Sequence, residues 1–272
     1  MFPLKNWCLI LLYPFSTMLC LIFWSGAVAN ADLAEGLILY FSFEEDKGEE
    51  EVIDRSENEH NGILQGVPLP EQVPGHSGKT LSFEPGGWVE VPHSDALALS
   101  DAGTVAAWVN IGPSSPTIWR AVVSKANTGQ DAMMNYTLDV RQNAPRFYFG
   151  DGAASLYAYN ESAKISFDTW HFIAGTFDGE KIKLFVDGEF TIEAAQTIEP
   201  RPNAEILTVG AYSRGAGNSP NGMIDEVSIY NRALSEDELK TVMEEGLKGI
   251  LAVRHSGKLT TTWGHVKAQE GC

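Results

Sequence analysis

The 272-residue sequence predicts an all-β fold, a sandwich or barrel with one late helix on its outside. Three observations carry this. Short runs of alternating apolar residues recur along the chain, separated by turns rich in Gly, Pro and Asp. Two Asp-Gly pairs, Asp178-Gly179 and Asp187-Gly188, each lie between such runs, and Asp-Gly in that setting is a strong hairpin signal. Only after Leu234 does a clear helix start signal occur.

Taken in order, residues 1–29 precede the fold. Lys5 is followed by an apolar run over 9–24, interrupted by Pro14, and by the small-residue sites Ala27-Val28-Ala29 and Ala29-Asn30-Ala31. This pattern predicts a secretory signal peptide over 1–29 and a secreted location, extracellular or periplasmic. No later run is long enough to span a bilayer, so no stable membrane span is expected after cleavage. Cys8 and Cys20 leave with the leader and Cys272 is the last residue. The remaining chain therefore has no internal disulfide and must rely on its core. The balance of 19 Lys and Arg against 36 Asp and Glu gives a net charge of −17. Such a surface excludes nucleic acid, whose binding rests on cationic contacts to phosphate, and anionic membranes. It favours divalent cations nearby.

Residues 37–43 read as the first strand, and the charged run 44–51 as a solvated loop. Residues 54–62 are rich in turn formers, and Pro68, Pro70 and Pro74 punctuate a further loop. Strands follow at 80–83 and 88–91, the latter with Val89 and Val91 on one face. In the strand 104–110, Val105, Ala107 and Val109 face one way and Trp108 the other. Short strands are predicted at 121–124, 136–140, 146–149 and 156–159. The two Asp-Gly turns make 170–177, 181–186 and 189–193 a meander, with Ile182, Leu184 and Val186 on one face. Another strand covers 205–211. A helix is capped by Ser235 with Glu238, stapled by Leu234 and Leu239, and ended by Gly246.

The strand 222–230 poses the sharpest question. Side chains alternate faces along a strand, which puts Met223, Asp225, Val227 and Ile229 on one apolar face. Burying an ionised carboxylate without a partner is costly. A bound cation, an arginine such as Arg232, or a set of backbone N–H groups can each compensate Asp225.

These pieces together resemble a known family. Gly36-Leu-Ile-Leu-Tyr-Phe-Ser-Phe43, Gly78-Lys-Thr-Leu-Ser-Phe83, Val89-Glu-Val-Pro92, Thr169-Trp-His171, Thr176-Phe-Asp-Gly179, Leu184-Phe-Val-Asp-Gly188, Thr208-Val-Gly210 and the stretch 222–235 follow the order seen in LamG-like jellyroll domains of the concanavalin A-like lectin/glucanase superfamily. The resemblance spans residues 36–245 and departs from the usual pattern at Glu84-Pro85-Gly86. It implies a two-sheet antiparallel jellyroll sandwich with one short C-terminal helix, over a domain 30–246 followed by a tail 247–272. It also implies binding to carbohydrate or a surface glycoconjugate, with protein as a further partner class, and a structural Ca2+. In that setting the loop 54–62 comes near the last strand, so Asp54 and Asn61 join Asp225 as candidate metal ligands.

Sugars stack on aromatic rings, and Trp119, Tyr157, Tyr159 and Tyr212 all lie in or beside loops, where binding residues concentrate. They are the candidate ligand-binding residues; the alternative is that they cap the edges of the core. No catalytic residue is assigned. The run 44–49 matches E-x-D-x-x-E, but Glu45, Lys47 and Gly48 between its carboxylates give no apolar residue to hold a strand down. No nucleophile elbow or H-E-x-x-H motif occurs, and His171 reads as structural. Asn135 and Asn160 stand in glycosylation sequons. The expected function is a secreted, non-catalytic, calcium-stabilised binding module. A glycosidase or lyase, and an adhesive protein-contact domain, are the alternatives.

Overall fold

The computed structural model describes residues 33–44, 50–113, 118–126, 130–214, 218–249 and 251. The predicted leader, the three cysteines, residues 45–49 of the carboxylate-rich run, and the tail beyond Leu251 lie outside the described residues. In chain order the strands are β1 (Leu37–Phe41), β2 (Glu51–Val52), β3 (Gly62–Gly66), β4 (Glu71–Pro74), β5 (Lys79–Phe83), β6 (Gly87–Val91), β7 (Gly103–Ile111) and β8 (Trp119–Lys125). They continue with β9 (Tyr136–Arg141), β10 (Ala144–Gly150), β11 (Ser155–Tyr159), β12 (Trp170–Phe177), β13 (Lys181–Val186), β14 (Glu189–Ala195), β15 (Leu207–Val209) and β16 (Gly222–Tyr230), before helix α1 (Glu236–Glu245).

The strands form two antiparallel sheets of eight. One runs β14-β13-β12-β7-β16-β5-β4, with β1 also paired to β16; the other runs β11-β10-β9-β8-β15-β6-β3-β2. Their inner faces meet in one apolar core. Val105, Ala107 and Val109 enter it from one side, Leu138, Val140, Phe147 and Phe149 from the other. The predicted inward faces of the meander and of β6 also hold, with Ile182, Leu184, Val89 and Val91 in the core. Packing is close enough that a Cβ on Gly175 would lie 2.0 Å from Phe147 Cγ, so Phe147 occupies the space that a larger residue would need.

Helix α1 covers the outer face of the first sheet. Leu239 and Val242 of the helix pack with Tyr40, Phe172, Phe185 and Tyr230, and Leu33 and Leu251 join the same cluster. The predicted capping box is present: Ser235 Oγ accepts from the Glu238 amide at 3.3 Å, and Glu238 Oε2 from the Ser235 amide at 2.8 Å. Residues 71–74, within the loop expected around Pro68, Pro70 and Pro74, form β4 instead. That strand is the sheet edge, where proline's missing donor is tolerated. Asn135, one of the two sequon asparagines, is fully buried and donates to the Leu99 carbonyl at 2.8 Å, so it is no glycan acceptor.

Residues 222–230 form one strand but not one face. Ile224, Val227 and Ile229 enter the core, whereas Asp225 pairs with the outward-facing Trp108. Between Asp225 and Ser228 the register against β7 shifts, and Glu226 has a φ of 50°. The extra residue of this bulge reverses the alternation. Thus the expectation that Asp225 shares a face with Val227 and Ile229 is corrected: Asp225 points away from the core. At the same place β16 changes neighbour on its other edge. Gly222, Met223 and Ile224 pair with β5, while Val227, Ser228, Ile229 and Tyr230 pair with β1.

Candidate binding site on the outer face of the second sheet

The β9–β10 hairpin sets Asp139 directly across from Arg146. Alternation puts both on the outer face, since Leu138 and Phe147 point inward. Both are nevertheless buried, at 0% and 6% exposure. Arg146 Nε donates to Asp139 Oδ1 at 2.8 Å and Nη2 donates to Oδ2, a bidentate pair. Tyr212 adds its hydroxyl to Oδ2 at 2.6 Å. Isolated charges at such depth would be costly; matched hydrogen bonds reduce that cost, while burial still raises the Asp139 carboxyl against the pull of Arg146 and Tyr212. Burial draws the Arg146 guanidinium down, but the hydrogen bonds and charge of Asp139 more than reverse it, so the group stays charged. Burial also pushes the Tyr148 and Tyr212 phenols well up, which keeps the Tyr212 hydroxyl a donor.

Aromatic rings surround the guanidinium. Its Cζ lies 4.5 Å from the Trp119 ring centroid, 4.7 Å from that of Tyr148 and 5.5 Å from that of Tyr157. Such contacts favour a cation. A cavity of about 240 Å3 opens against this cage, lined by Trp119, Asp131, Met134, Arg146, Tyr212 and Asn218. Asp131 begins a short 3-10 turn, Asp131–Met133, and accepts from the Tyr157 hydroxyl at 2.6 Å. An arginine carries five N–H donors. Two of those of Arg146 are spent on Asp139, and among the described residues no other partner takes the rest.

The four aromatics expected to bind ligand all lie in this neighbourhood. Trp119 and Tyr212 line the cavity, and Tyr157 stands behind Asp131. Tyr159 is set further off, its hydroxyl accepting from Arg141 Nη1 at 3.2 Å, while Arg141 Cζ lies 5.1 Å from the Trp119 ring. Tyr212 differs from expectation in one respect. It is 6% exposed and turns its hydroxyl inward to Asp139, so it is a wall of the site and not an open stacking ring. Sequence reasoning missed Asp139, Arg146 and Asp131. No local signal marked Asp139: alternation along 136–141 puts it on the polar face with Thr137 and Arg141.

The expected metal ligands lie elsewhere. Asp225 is fully buried. Its Oδ2 accepts from the amides of His76 at 3.0 Å and Ser77 at 3.2 Å, and Oδ1 from the Glu226 amide at 2.9 Å. Of the three possible compensations, backbone N–H groups are the one found. The turn between β4 and β5 supplies two of them, and a Cβ on Gly75 in that turn would lie 2.6 Å from Oδ2. Burial raises the Asp225 carboxyl to about 7 against the pull of the Ser77 amide.

Asp54 has its own network. Its Oδ1 accepts from the amides of Tyr40 at 3.0 Å and Ser56 at 2.9 Å, and its Oδ2 from Ser56 Oγ at 2.8 Å and the His60 amide at 3.0 Å. Asn61 Oδ1 is taken by the Asp54 amide at 2.9 Å. Calcium needs six to eight oxygens facing one point. Here the oxygens of Asp54 and Asn61 face N–H and O–H hydrogens in one network, and those of Asp225 face amides in another. Among the described residues, no three His, Cys, Asp or Glu side chains gather as a metal site. The three residues do not fit the shared Ca2+ expected of them.

No curated protein matches the sequence. Among solved structures, domain 4 of AbnA, a GH43 extracellular arabinanase from Geobacillus stearothermophilus in complex with arabinotriose, is similar at 16% identity and a TM-score of 0.61, over 76% of this chain and 98% of that one. The binding domain of Paraclostridial Mosquitocidal Protein 1 is similar at 16% identity and a TM-score of 0.61, over 78% and 53%. The binding domain of botulinum neurotoxin DC, in complex with rat synaptotagmin II, is similar at 12% identity and a TM-score of 0.60, over 78% and 52%. This chain spans about half the length of those toxin chains. At such identities the likeness is one of fold. A laminin G family model matches residues 83–240, narrower than the 36–245 of the sequence resemblance although β1, β3 and β4 belong to the same two sheets. By that match, the chain belongs to the concanavalin A-like lectin/glucanases superfamily.

Proposed function

We propose that this protein is a secreted, non-catalytic binding module that takes a carbohydrate ligand in the cavity beside Arg146. The observation that carries the reading is the guanidinium itself: fixed by Asp139, framed by Trp119, Tyr148 and Tyr157, and lining the cavity with N–H groups not spent on Asp139. A rigid donor edge beside aromatic rings and an acceptor, Asp131, is what a polyhydroxylated ring requires. The leader pattern over 1–29 supports secretion. The arabinotriose complex of the arabinanase domain supports the choice of ligand class.

The enzyme alternative is less well supported. Glycoside hydrolysis generally needs two carboxyl groups able to reach the sugar, whereas Asp139 is fully buried and committed to Arg146 and Tyr212. This reading gives calcium no role: the oxygens of Asp225 and Asp54 already accept hydrogen bonds from protein N–H and O–H groups. Binding of the purified chain to a glycan array, repeated with Trp119→Ala, tests the proposal. Hits lost in the variant support it. Hits retained at full strength place the ligand elsewhere, and the absence of any hit favours a protein ligand.

A further inference from the structure

We infer, resting on the carbohydrate reading above, that the cavity selects an uncharged sugar residue and that Asp131 is the group that selects it. The cavity wall holds one guanidinium and one carboxylate in reach of a ligand, with a second carboxylate, Asp139, behind the guanidinium. The bidentate pair cancels the Arg146 charge at its source. Asp131 has no cation beside it among the described residues. It receives a single hydrogen bond there, from the Tyr157 hydroxyl at 2.6 Å on Oδ2.

The site therefore asks for two things at once: a donor for Asp131 and an acceptor for the N–H groups of Arg146 that Asp139 does not take. A sugar carboxylate or sulfate satisfies Arg146 but meets Asp131 as a like charge, which in a partly dry site is strongly unfavourable. An ammonium satisfies Asp131 but offers nothing to the arginine, and the rings that would stabilise it already face the guanidinium. A hydroxyl both donates and accepts. Neighbouring hydroxyls of a neutral sugar meet both demands with no net charge brought in. The volume of about 240 Å3 lies below the ~300–1,000 Å3 of pockets for larger ligands, which fits a short stretch of sugar and not a long chain held in a groove.

The test compares neutral oligosaccharides (arabinan, xylan and galactan fragments) with oligogalacturonate and alginate fragments by calorimetry, on the whole chain and on Asp131→Asn. The expected result is a preference of about tenfold or more for a neutral sugar, shrinking by a similar factor in Asp131→Asn as the repulsion is removed. Raising salt should narrow the same preference in the unmodified protein, because screening weakens repulsion; this arm stands even where the variant fails to fold. Tighter binding of the uronates, or a preference that neither salt nor Asp131→Asn alters, overturns the inference and leaves carbohydrate binding intact. Failure of both classes to bind overturns the carbohydrate reading with it.

Discussion

His76 and Asp225 are joined through the backbone: the His76 amide donates to Asp225 Oδ2 at 3.0 Å, while the His76 ring stacks on Trp108 with centroids 3.6 Å apart. The carboxylate thus clasps the β4–β5 turn onto the outer face of the first sheet. Asp225→Ala strips three amides of their acceptor. We expect a loss of about 2–4 kcal/mol in urea unfolding, from buried donors left unmade. A loss below the error of the measurement would show that water replaces the carboxylate without cost.

The same group makes stability depend on pH in a defined sense. Its carboxyl titrates near 7 when folded against an ordinary value of 3.8. The folded state therefore binds the proton more tightly than the unfolded state does. Its contribution to stability is greatest at low pH, falls as pH rises from about 4 to about 7, and is flat above that. Urea midpoints of the natural protein and Asp225→Ala at pH 5 and pH 8 should differ accordingly: the drop from pH 5 to pH 8 is larger in the natural protein.

At the cavity, removing one member of the buried pair is expected to be severe. Asp139→Leu leaves Arg146 charged and unpaired, at a cost of about 3–5 kcal/mol. The double change Asp139→Leu with Arg146→Met should recover most of that stability, since apolar replacement of a buried pair is often neutral. Ligand binding should not return with it. Thermal melts and the glycan array together separate the two effects.

Chelation should leave the melting temperature unchanged. A ligand that binds only the native state raises its stability, so a drop of several degrees in excess EDTA, reversed by calcium, would reveal an ion held by groups other than the three considered above.

Much of the fold was legible because it rests on local rules. The Asp-Gly turns, the alternation of Val105, Ala107 and Val109, and the Ser235–Glu238 cap each follow from short-range sterics and hydrogen bonding. The bulge at Glu226 was not, because one inserted residue leaves no mark in an alternating pattern and simply inverts its meaning downstream. The site was half legible. Trp119, Tyr157, Tyr159 and Tyr212 were marked by their loop-side positions, yet the charges that organise them sit inside strands. Asp139 and Arg146 face each other only once the β9–β10 register is known, and composition alone does not fix a register.

One arrangement bears on how the molecule is presented. Leu33 and Leu251, at the two ends of the described chain, pack in the same cluster under α1 on the outer side of the first sheet. The Arg146 cavity opens on the outer side of the second. The described chain thus enters and leaves the sandwich on the side away from that cavity.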